Sequence, residues 1–152
     1  MSDTATQAAD RHIPRGILFA CNMNSVRSPM AEALARKLLG PAVHVASAGV
    51  YEGGLDPFVE SIMQEIDNSV DGHEPQEFAA VDPLKYELVV ALTPEAAEEA
   101  LKFFDQKQIE LWETPNPTDT RGSRDQIMNA YREARDSLQA RIETRFSLQE
   151  AS

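Results

Sequence analysis

Four short aliphatic runs alternate with helical patterns along this chain, and this alternation restricts the fold more than any other feature. The runs predict strands at residues 17–20, 44–47, 87–92 and 108–112. Apolar residues at helical spacing predict helices at residues 29–39, 57–66, 94–104 and 123–146, with one further turn at 83–86. Such an order predicts a single α/β domain, with a four-stranded parallel sheet and helices on both faces.

The predicted helices begin at recognisable capping signals. A side-chain oxygen precedes a proline in four dipeptides: Ser28-Pro29, Asp56-Pro57, Asp82-Pro83 and Thr93-Pro94. The oxygen can accept from a free N–H group of the first turn, and proline is tolerated at the first helical position. Ser123 and Gln126 have the spacing of a capping box, which predicts the start of the last helix.

Composition sets the class of protein. The chain has 152 residues, of which 42% are hydrophobic, and a formal net charge of −11. We predict a flexible tail at residues 1–15, one domain at 16–146 and a second tail at 147–152. The charge argues against a nucleic-acid partner, and no apolar run is long enough to span a membrane. With a single cysteine and no secretory signal, a cytoplasmic protein is expected.

The single cysteine lies where chemistry is expected. Cys21 directly follows the first predicted strand, and Arg27 stands six positions later at the start of a helix. The backbone N–H groups of the intervening loop can form a concave site for a tetrahedral anion, helped by the helix dipole. Arg27 can hold two oxygens of that anion, and electropositive surroundings favour a nucleophilic thiolate. The alternative is a buried core thiol beside a solvated arginine.

Two further residues fit the reactive-site interpretation. Ser28 can donate a hydrogen bond to the Cys21 sulfur. Asn24, in the middle of the loop, can take a left-handed conformation and hold the turn together with its side-chain amide.

The pattern Cys-x5-Arg-Ser-Pro-Met-Ala-Glu-Ala, from Cys21 to Ala33, resembles the low-molecular-weight protein tyrosine phosphatases and their arsenate reductase relatives. The segments VASAGV, LDPFVESIMQEI and ELVVALTPEA resemble later elements of the same family, and His73 stands where a histidine is common. The resemblance runs from about Gly16 to Phe146. It implies a cysteine-dependent phosphatase that works through a cysteinyl-phosphate intermediate.

The resemblance also implies roles for particular residues. Cys21 would be the nucleophile, with Arg27 stabilising the transferred group and Ser28 assisting the sulfur. The phosphate would be held by the loop residues Asn22, Met23, Asn24, Ser25, Val26 and Arg27. No cofactor or metal is expected, because the three histidines are scattered and have no cysteine partners. The expected partners are a phosphorylated protein or a small aryl phosphate, or anions such as phosphate and sulfate.

The chain departs from the family at the general acid. The family has Asp-Pro after the last strand, whereas this chain has Asn116-Pro117. An amide cannot give up a proton at neutral pH, and a positioned acid contributes roughly 10²–10⁴-fold in rate. Asp119 is the nearest substitute in the sequence, and its alternative role is that of an ordinary loop carboxylate. Tyr51 could form one wall for a substrate ring.

Three functions remain compatible with these residues. The first is a phosphatase of phosphotyrosine or another aryl phosphate, slowed by Asn116. The second is a protein that binds phosphoanions or phosphoproteins and has lost efficient catalysis. The third is an arsenate reductase that uses an external thiol, since no cysteine follows Cys21.

Overall fold

A computed structural model describes residues 13–70 and 72–148. Its four strands are β1 (Gly16–Cys21), β2 (His44–Gly49), β3 (Leu88–Ala91) and β4 (Ile109–Leu111). All paired strands run parallel, in the order β2-β1-β3-β4. The predicted four-stranded parallel sheet is confirmed.

Four α-helices connect and follow these strands: α1 (Arg27–Leu39), α2 (Pro57–Gln64), α3 (Pro94–Ala100) and α4 (Arg124–Arg145). Short 3₁₀ turns occur at Phe78–Ala80, Pro83–Lys85, Gln106–Gln108 and Pro117–Asp119. The sequence predicted the second of these turns and missed the other three, because a single turn has no hydrophobic period to detect.

Helices cover both faces of the sheet, as predicted. Ile17 and Phe19 of β1 pack with buried side chains of α1, α2 and α4. The alternate residues Leu18 and Ala20 pack on the other face with Ala96 of α3. Every residue of β1 is buried, so β1 is an interior strand whose carboxyl end is fixed from both sides.

Four of the predicted caps are confirmed by hydrogen bonds, among them Asp82, which accepts from the Leu84 N–H at 3.1 Å. Asp56 accepts from the Phe58 N–H at 2.8 Å, and Thr93 accepts from the Ala96 N–H at 3.1 Å. Ser123 forms a reciprocal capping box with Gln126.

Three predicted helix bounds differ from the structure by two residues or more; one of them is the end of α2, which lies at Gln64 instead of residue 66. Helix α1 begins at Arg27 after Val26 and has no side-chain cap, because the Ser28 hydroxyl is directed to Cys21 and Asn24 instead. Helix α3 ends at Ala100, four residues early. Acidic residues occupy its last turn and no basic residue does. Their negative charges interact unfavourably with the negative end of the helix dipole.

The predicted tails lie largely outside the described residues. These ranges omit residues 1–12, most of the predicted N-terminal tail, and 149–152 of the predicted C-terminal tail. No helix in the described ranges is long and apolar enough to cross a membrane.

Candidate active site

Cys21 is the last residue of β1 and lies at the carboxyl edge of the sheet, where ligands bind in folds of this class. It is 2% exposed and lines a cavity of about 270 Å³. The cavity wall brings together most of the residues that the sequence indicated: Asn22, Met23, Ser25, Val26, Arg27, Tyr51 and Asn116, with Thr118.

The phosphate loop, residues 22–27, curls from β1 into α1. In the described part of the chain, none of its backbone N–H groups donates to another protein group. Backbone donors rarely go unpaired in folded proteins. Six such donors beside a thiol at a helix N-terminus form a site suited to an anion with several oxygens.

Hydrogen bonds below the loop hold its shape. The Cys21 sulfur lies 3.0 Å from the Ser28 Oγ. Asn24 is fully buried, has φ of +53°, and donates to Ser28 and Ser47 at 2.9 Å each. Its side-chain oxygen accepts from the Gln76 N–H at 2.9 Å. The left-handed conformation and the bracing role predicted for Asn24 are therefore confirmed.

This bracing continues to a buried carboxylate that sequence reasoning missed. Ser47 donates to Glu32 at 2.5 Å, and Glu32 pairs with Arg36 at 2.8 Å. The ring of His73 lies 3.7 Å from Glu32, and among the described residues its buried Nε2 has no hydrogen-bond partner. The signal was present in the two segments SAG and MAE, but spacing alone does not show that β2 and α1 meet.

Gly49, the last residue of β2, lies directly under the loop. A Cβ placed on it would stand 2.5 Å from the Tyr51 carbonyl oxygen and 2.8 Å from the Asn24 nitrogen. No larger residue fits without displacing the loop. The glycine of the SAG segment is thus explained by a close approach of two backbones.

Arg27 connects the loop to the segment after β4. Its Nη1 donates to the Thr114 carbonyl oxygen at 2.9 Å. This contact holds the guanidinium on the cavity wall, so its remaining N–H groups are available for an anion.

The rim segment, residues 116–119, faces the phosphate loop across the cavity. Asn116 caps the 3₁₀ turn Pro117–Asp119, and its side-chain oxygen accepts from the Thr118 N–H at 3.0 Å. Asp119 is exposed and does not line the cavity with Cys21. It lines a neighbouring hollow of about 480 Å³. The structure therefore does not bring Asp119 together with the other indicated residues.

Two large side chains stand at the mouth of the cavity. Tyr51 is 62% exposed and Met23 is 45% exposed. Both line the cavity, together with the small polar Thr118.

Asn22 makes a second connection that sequence reasoning missed. Its side-chain oxygen accepts from Thr93 Oγ1 at 2.6 Å, and its Nδ2 donates to Glu95 Oε2 at 2.6 Å. Thr93 and Glu95 were interpreted only as the start of a helix, because an asparagine so far away in sequence gave no signal.

The side chains whose pKa values are shifted lie outside this cavity. Burial, with a hydrogen bond to Asp56, raises the pKa of Tyr131 well above its usual range. Asp56 in turn donates its N–H to the Ser25 carbonyl oxygen at 3.1 Å, which ties α4 to the loop through α2.

Among the described residues no group of three or more His, Cys, Asp and Glu is arranged to hold a metal ion.

Comparisons with known proteins agree with this geometry. An arsenate reductase of Bacillus licheniformis is 32% identical over 129 residues, which is 83% of this chain and 91% of that protein. Two solved structures have TM-scores of 0.74. The tyrosine phosphatase amsI of Erwinia amylovora is 19% identical and matches 90% of this chain and 93% of its own. The YwlE arginine phosphatase of Geobacillus stearothermophilus is 24% identical and matches 91% of this chain and 95% of its own. These two structures show the shared fold.

A family model matches residues 16–150, which include the whole sheet, the phosphate loop and the rim segment. The description of that family is low molecular weight phosphotyrosine protein phosphatase. The protein belongs to this family.

Proposed function

We propose that the protein is a cysteine-dependent phosphatase that hydrolyses phosphotyrosine or another aryl phosphate, slowed by Asn116 at the position of the general acid. The observation that carries this proposal is the thiol of Cys21 at the base of a loop whose N–H groups have no protein partner in the described residues. A helix N-terminus and a guanidinium complete the positive surroundings.

In the first step, the Cys21 sulfur attacks phosphorus as the bond from phosphorus to the leaving oxygen breaks. The electron pair of that bond goes to the leaving oxygen, which takes up a proton. Arg27 and the loop amides stabilise the charge on the transferred group. The Ser28 hydroxyl, 3.0 Å from the sulfur, stabilises the thiolate.

In the second step, water attacks phosphorus and breaks the sulfur–phosphorus bond. Inorganic phosphate leaves and the thiolate is restored. No further group is consumed, so the cycle repeats without a cofactor.

The mouth of the cavity supports an aromatic leaving group. Tyr51 and Met23 offer an apolar edge to a ring, with the phosphate below them at the loop. The partner would be a phosphorylated protein or a small aryl phosphate. A cytoplasmic location is part of the proposal and rests on the single cysteine.

Phosphoarginine is a second substrate to compare, because one structural neighbour is an arginine phosphatase. Three carboxylates line the hollow beside the phosphate loop: Glu95, Glu113 and Asp119. Their charge would attract a guanidinium leaving group.

Arsenate reduction is a second candidate function, supported by the Bacillus licheniformis relative. Cys21 would form a sulfur–arsenic bond as water leaves. An external thiol would then attack the sulfur, so that arsenic(V) leaves as arsenite and the two sulfurs form a mixed disulfide. A second external thiol would restore Cys21. Arsenate-dependent oxidation of added glutathione tests this function.

A phosphoanion-binding protein is the third candidate, because Asn116 removes the acid but leaves the phosphate loop intact. Micromolar affinity for phosphate or a phosphopeptide, with negligible turnover of every substrate, would favour this function over the first.

The deciding experiment compares the unaltered protein with Asn116→Asp and Cys21→Ser on p-nitrophenyl phosphate and on phosphotyrosine. The nitrophenolate leaves with little help, whereas the tyrosine phenolate, with a pKa of about 10, depends on proton donation. If no other residue donates this proton, Asn116→Asp should raise turnover of phosphotyrosine by up to roughly 10²–10⁴-fold and of the activated substrate only slightly. The phosphatase proposal fails if the unaltered protein turns over neither substrate, or if Cys21→Ser changes nothing.

A further inference from the structure

The hollow beside the Cys21 cavity holds carboxylates that the proposed reaction has not yet used. The two spaces share three lining residues, Asn22, Arg27 and Asn116, so they adjoin across the phosphate loop. A group in the hollow therefore lies beside the phosphate loop.

Glu95 differs from the other carboxylates of this hollow by its contact with the phosphate loop. Its Oε2 accepts from Asn22 Nδ2 at 2.6 Å. Among the residues that the structure describes, no other carboxylate is hydrogen-bonded to a side chain or amide of residues 22–27. Because Asn22 directly follows Cys21, standard bond lengths place this carboxylate within roughly 10 Å of the Cys21 Cα.

Glu95 is exposed, and its carboxylate is held by the hydrogen bond from Asn22. It lies in the first turn of α3, behind the capping residue Thr93. Thr93 also donates to the Asn22 side-chain oxygen at 2.6 Å. The amide of Asn22 is thus held in one orientation and presents its N–H to the carboxylate.

The rim segment offers no equivalent group. The Asn116 side chain is an amide, and its oxygen is bonded to the Thr118 N–H. Asp119 lines the hollow, but in the described part of the chain its carboxylate is not hydrogen-bonded to the phosphate loop. Of the three carboxylates, Glu95 is the one attached to the residue next to the nucleophile.

We propose that Glu95 supplies the proton to the leaving oxygen, in place of the missing aspartic acid; this inference rests on the proposed phosphatase function. As the Cys21 sulfur bonds to phosphorus, the leaving oxygen takes the proton of the Glu95 carboxyl and departs as a neutral alcohol. In the second step, the Glu95 carboxylate accepts a proton from the attacking water. Each turnover returns both residues to their starting states.

Glu95→Gln tests this role with little disturbance of the loop, because the amide oxygen of glutamine can still accept from Asn22. We expect turnover of phosphotyrosine to fall by about 10²-fold or more, and that of p-nitrophenyl phosphate by less than about 3-fold. The inhibition constant for inorganic phosphate should stay within about 3-fold, since the phosphate loop keeps its contacts. The matched control is Glu98→Gln, an exposed glutamate of the same helix, which should change none of these values.

The dependence of rate on leaving group gives a second readout. Across a series of aryl phosphates, Glu95→Gln should make the rate fall more steeply as the leaving group becomes more basic. In the Glu95→Gln background, Asn116→Asp should restore turnover of phosphotyrosine. If Glu95 has a purely structural role, Glu95→Gln should leave the dependence of rate on leaving-group basicity unchanged. Asn116→Asp should then not restore turnover in that background.

Three outcomes overturn the inference. One is full activity of Glu95→Gln on phosphotyrosine. Another is an equal loss on both substrates with weaker phosphate inhibition, which would mean that Glu95 only positions the loop. The third is a selective loss in Asp119→Asn instead. In each case the proposed phosphatase function is still supported if turnover requires Cys21. If the unaltered protein shows no Cys21-dependent turnover, both proposals are wrong.

Discussion

The two sides of the cavity are built in different ways. On the phosphate-loop side, Asn24 and Ser28 are fully buried and joined by side-chain hydrogen bonds that reach Ser47 and Glu32. On the rim side, the Asn116 side chain is hydrogen-bonded only within its own turn as far as the structure describes the chain, and Asp119 is exposed. A substitution on the first side breaks several buried contacts, whereas one on the second side breaks few. This contrast fits the proposed function, in which the anion site is kept although the residue at the general-acid position has changed.

The largest effect should come from Cys21→Ser. The serine hydroxyl is a far weaker nucleophile, so turnover of p-nitrophenyl phosphate should fall by about 10⁴-fold or more. Phosphate binding, measured by calorimetry, should persist because the loop amides and Arg27 remain. Loss of binding together with turnover would show that the sulfur itself is part of the anion site.

Asn24→Ala should have the next largest effect, because it breaks the bracing of the loop. It removes three hydrogen bonds, two of them buried, and places alanine at φ of +53°, a conformation that asparagine tolerates better. We expect a loss of about 3 kcal/mol in the free energy of unfolding and at least tenfold weaker phosphate binding. Urea unfolding and calorimetry measure the two quantities.

Asn24→Gly is the matched control, since glycine tolerates the left-handed conformation but makes none of the side-chain contacts. It should recover about 1 kcal/mol of the loss. If both variants bind phosphate as the unaltered protein does, the buried network does not hold the loop and the contrast between the two sides fails.

Glu65→Gln perturbs neither side and provides a reference for acid stability. Hydrogen bonds from Arg132 and then Arg135 lower the pKa of Glu65 from 4.5 to about 2. A folded-state pKa below the unfolded value stabilises the protein above about pH 4.5, and this stabilisation is lost as the pH falls toward 2. Because these ion pairs are partly exposed, we expect Glu65→Gln to lower the free energy of unfolding by about 1 kcal/mol at pH 7.

Urea unfolding at pH 7 and pH 3 measures this difference, with the exposed Glu133→Gln on helix α4 as the control. The difference in the free energy of unfolding between Glu65→Gln and the unaltered protein should be smaller at pH 3 than at pH 7. A gap that stays constant would mean that the ion pairs do not account for it.

The smallest effect is expected for Asp119→Ala. This exposed side chain does not line the Cys21 cavity and, among the described residues, is not hydrogen-bonded to the loop, so turnover of either substrate should change by no more than about 3-fold. Steady-state kinetics on both substrates measures it. A selective loss on phosphotyrosine would give the rim segment the role that we assign to Glu95.

The sequence predicted the sheet and most caps because their signals are local. Thr93 and Ser123 predict the helices that begin directly after them, and a strand can be recognised from a short stretch of sequence. The same local reasoning misassigned Ser28. As a residue before a proline it resembles a cap, but in the folded protein its hydroxyl is directed to Cys21.

The contacts that sequence reasoning missed join residues far apart in the chain. Ser47 meets Asn24, Glu32 meets His73, and Asn22 meets Glu95 only after the sheet has formed. Nothing in the local pattern specifies such pairs. The phosphate loop could be predicted because nucleophile, donors and arginine lie within seven consecutive residues.

The isolation of Cys21 has a consequence for oxidative damage. An oxidised cysteine is commonly protected when a nearby thiol condenses with its sulfenic acid to form a disulfide. This chain has no second cysteine, and the loop neighbour Val26 is a buried aliphatic residue. After oxidation, recovery of Cys21 therefore depends on small thiols that can enter the cavity. The concentration of such thiols, rather than the protein's own chemistry, would decide whether an oxidised molecule is repaired or permanently lost.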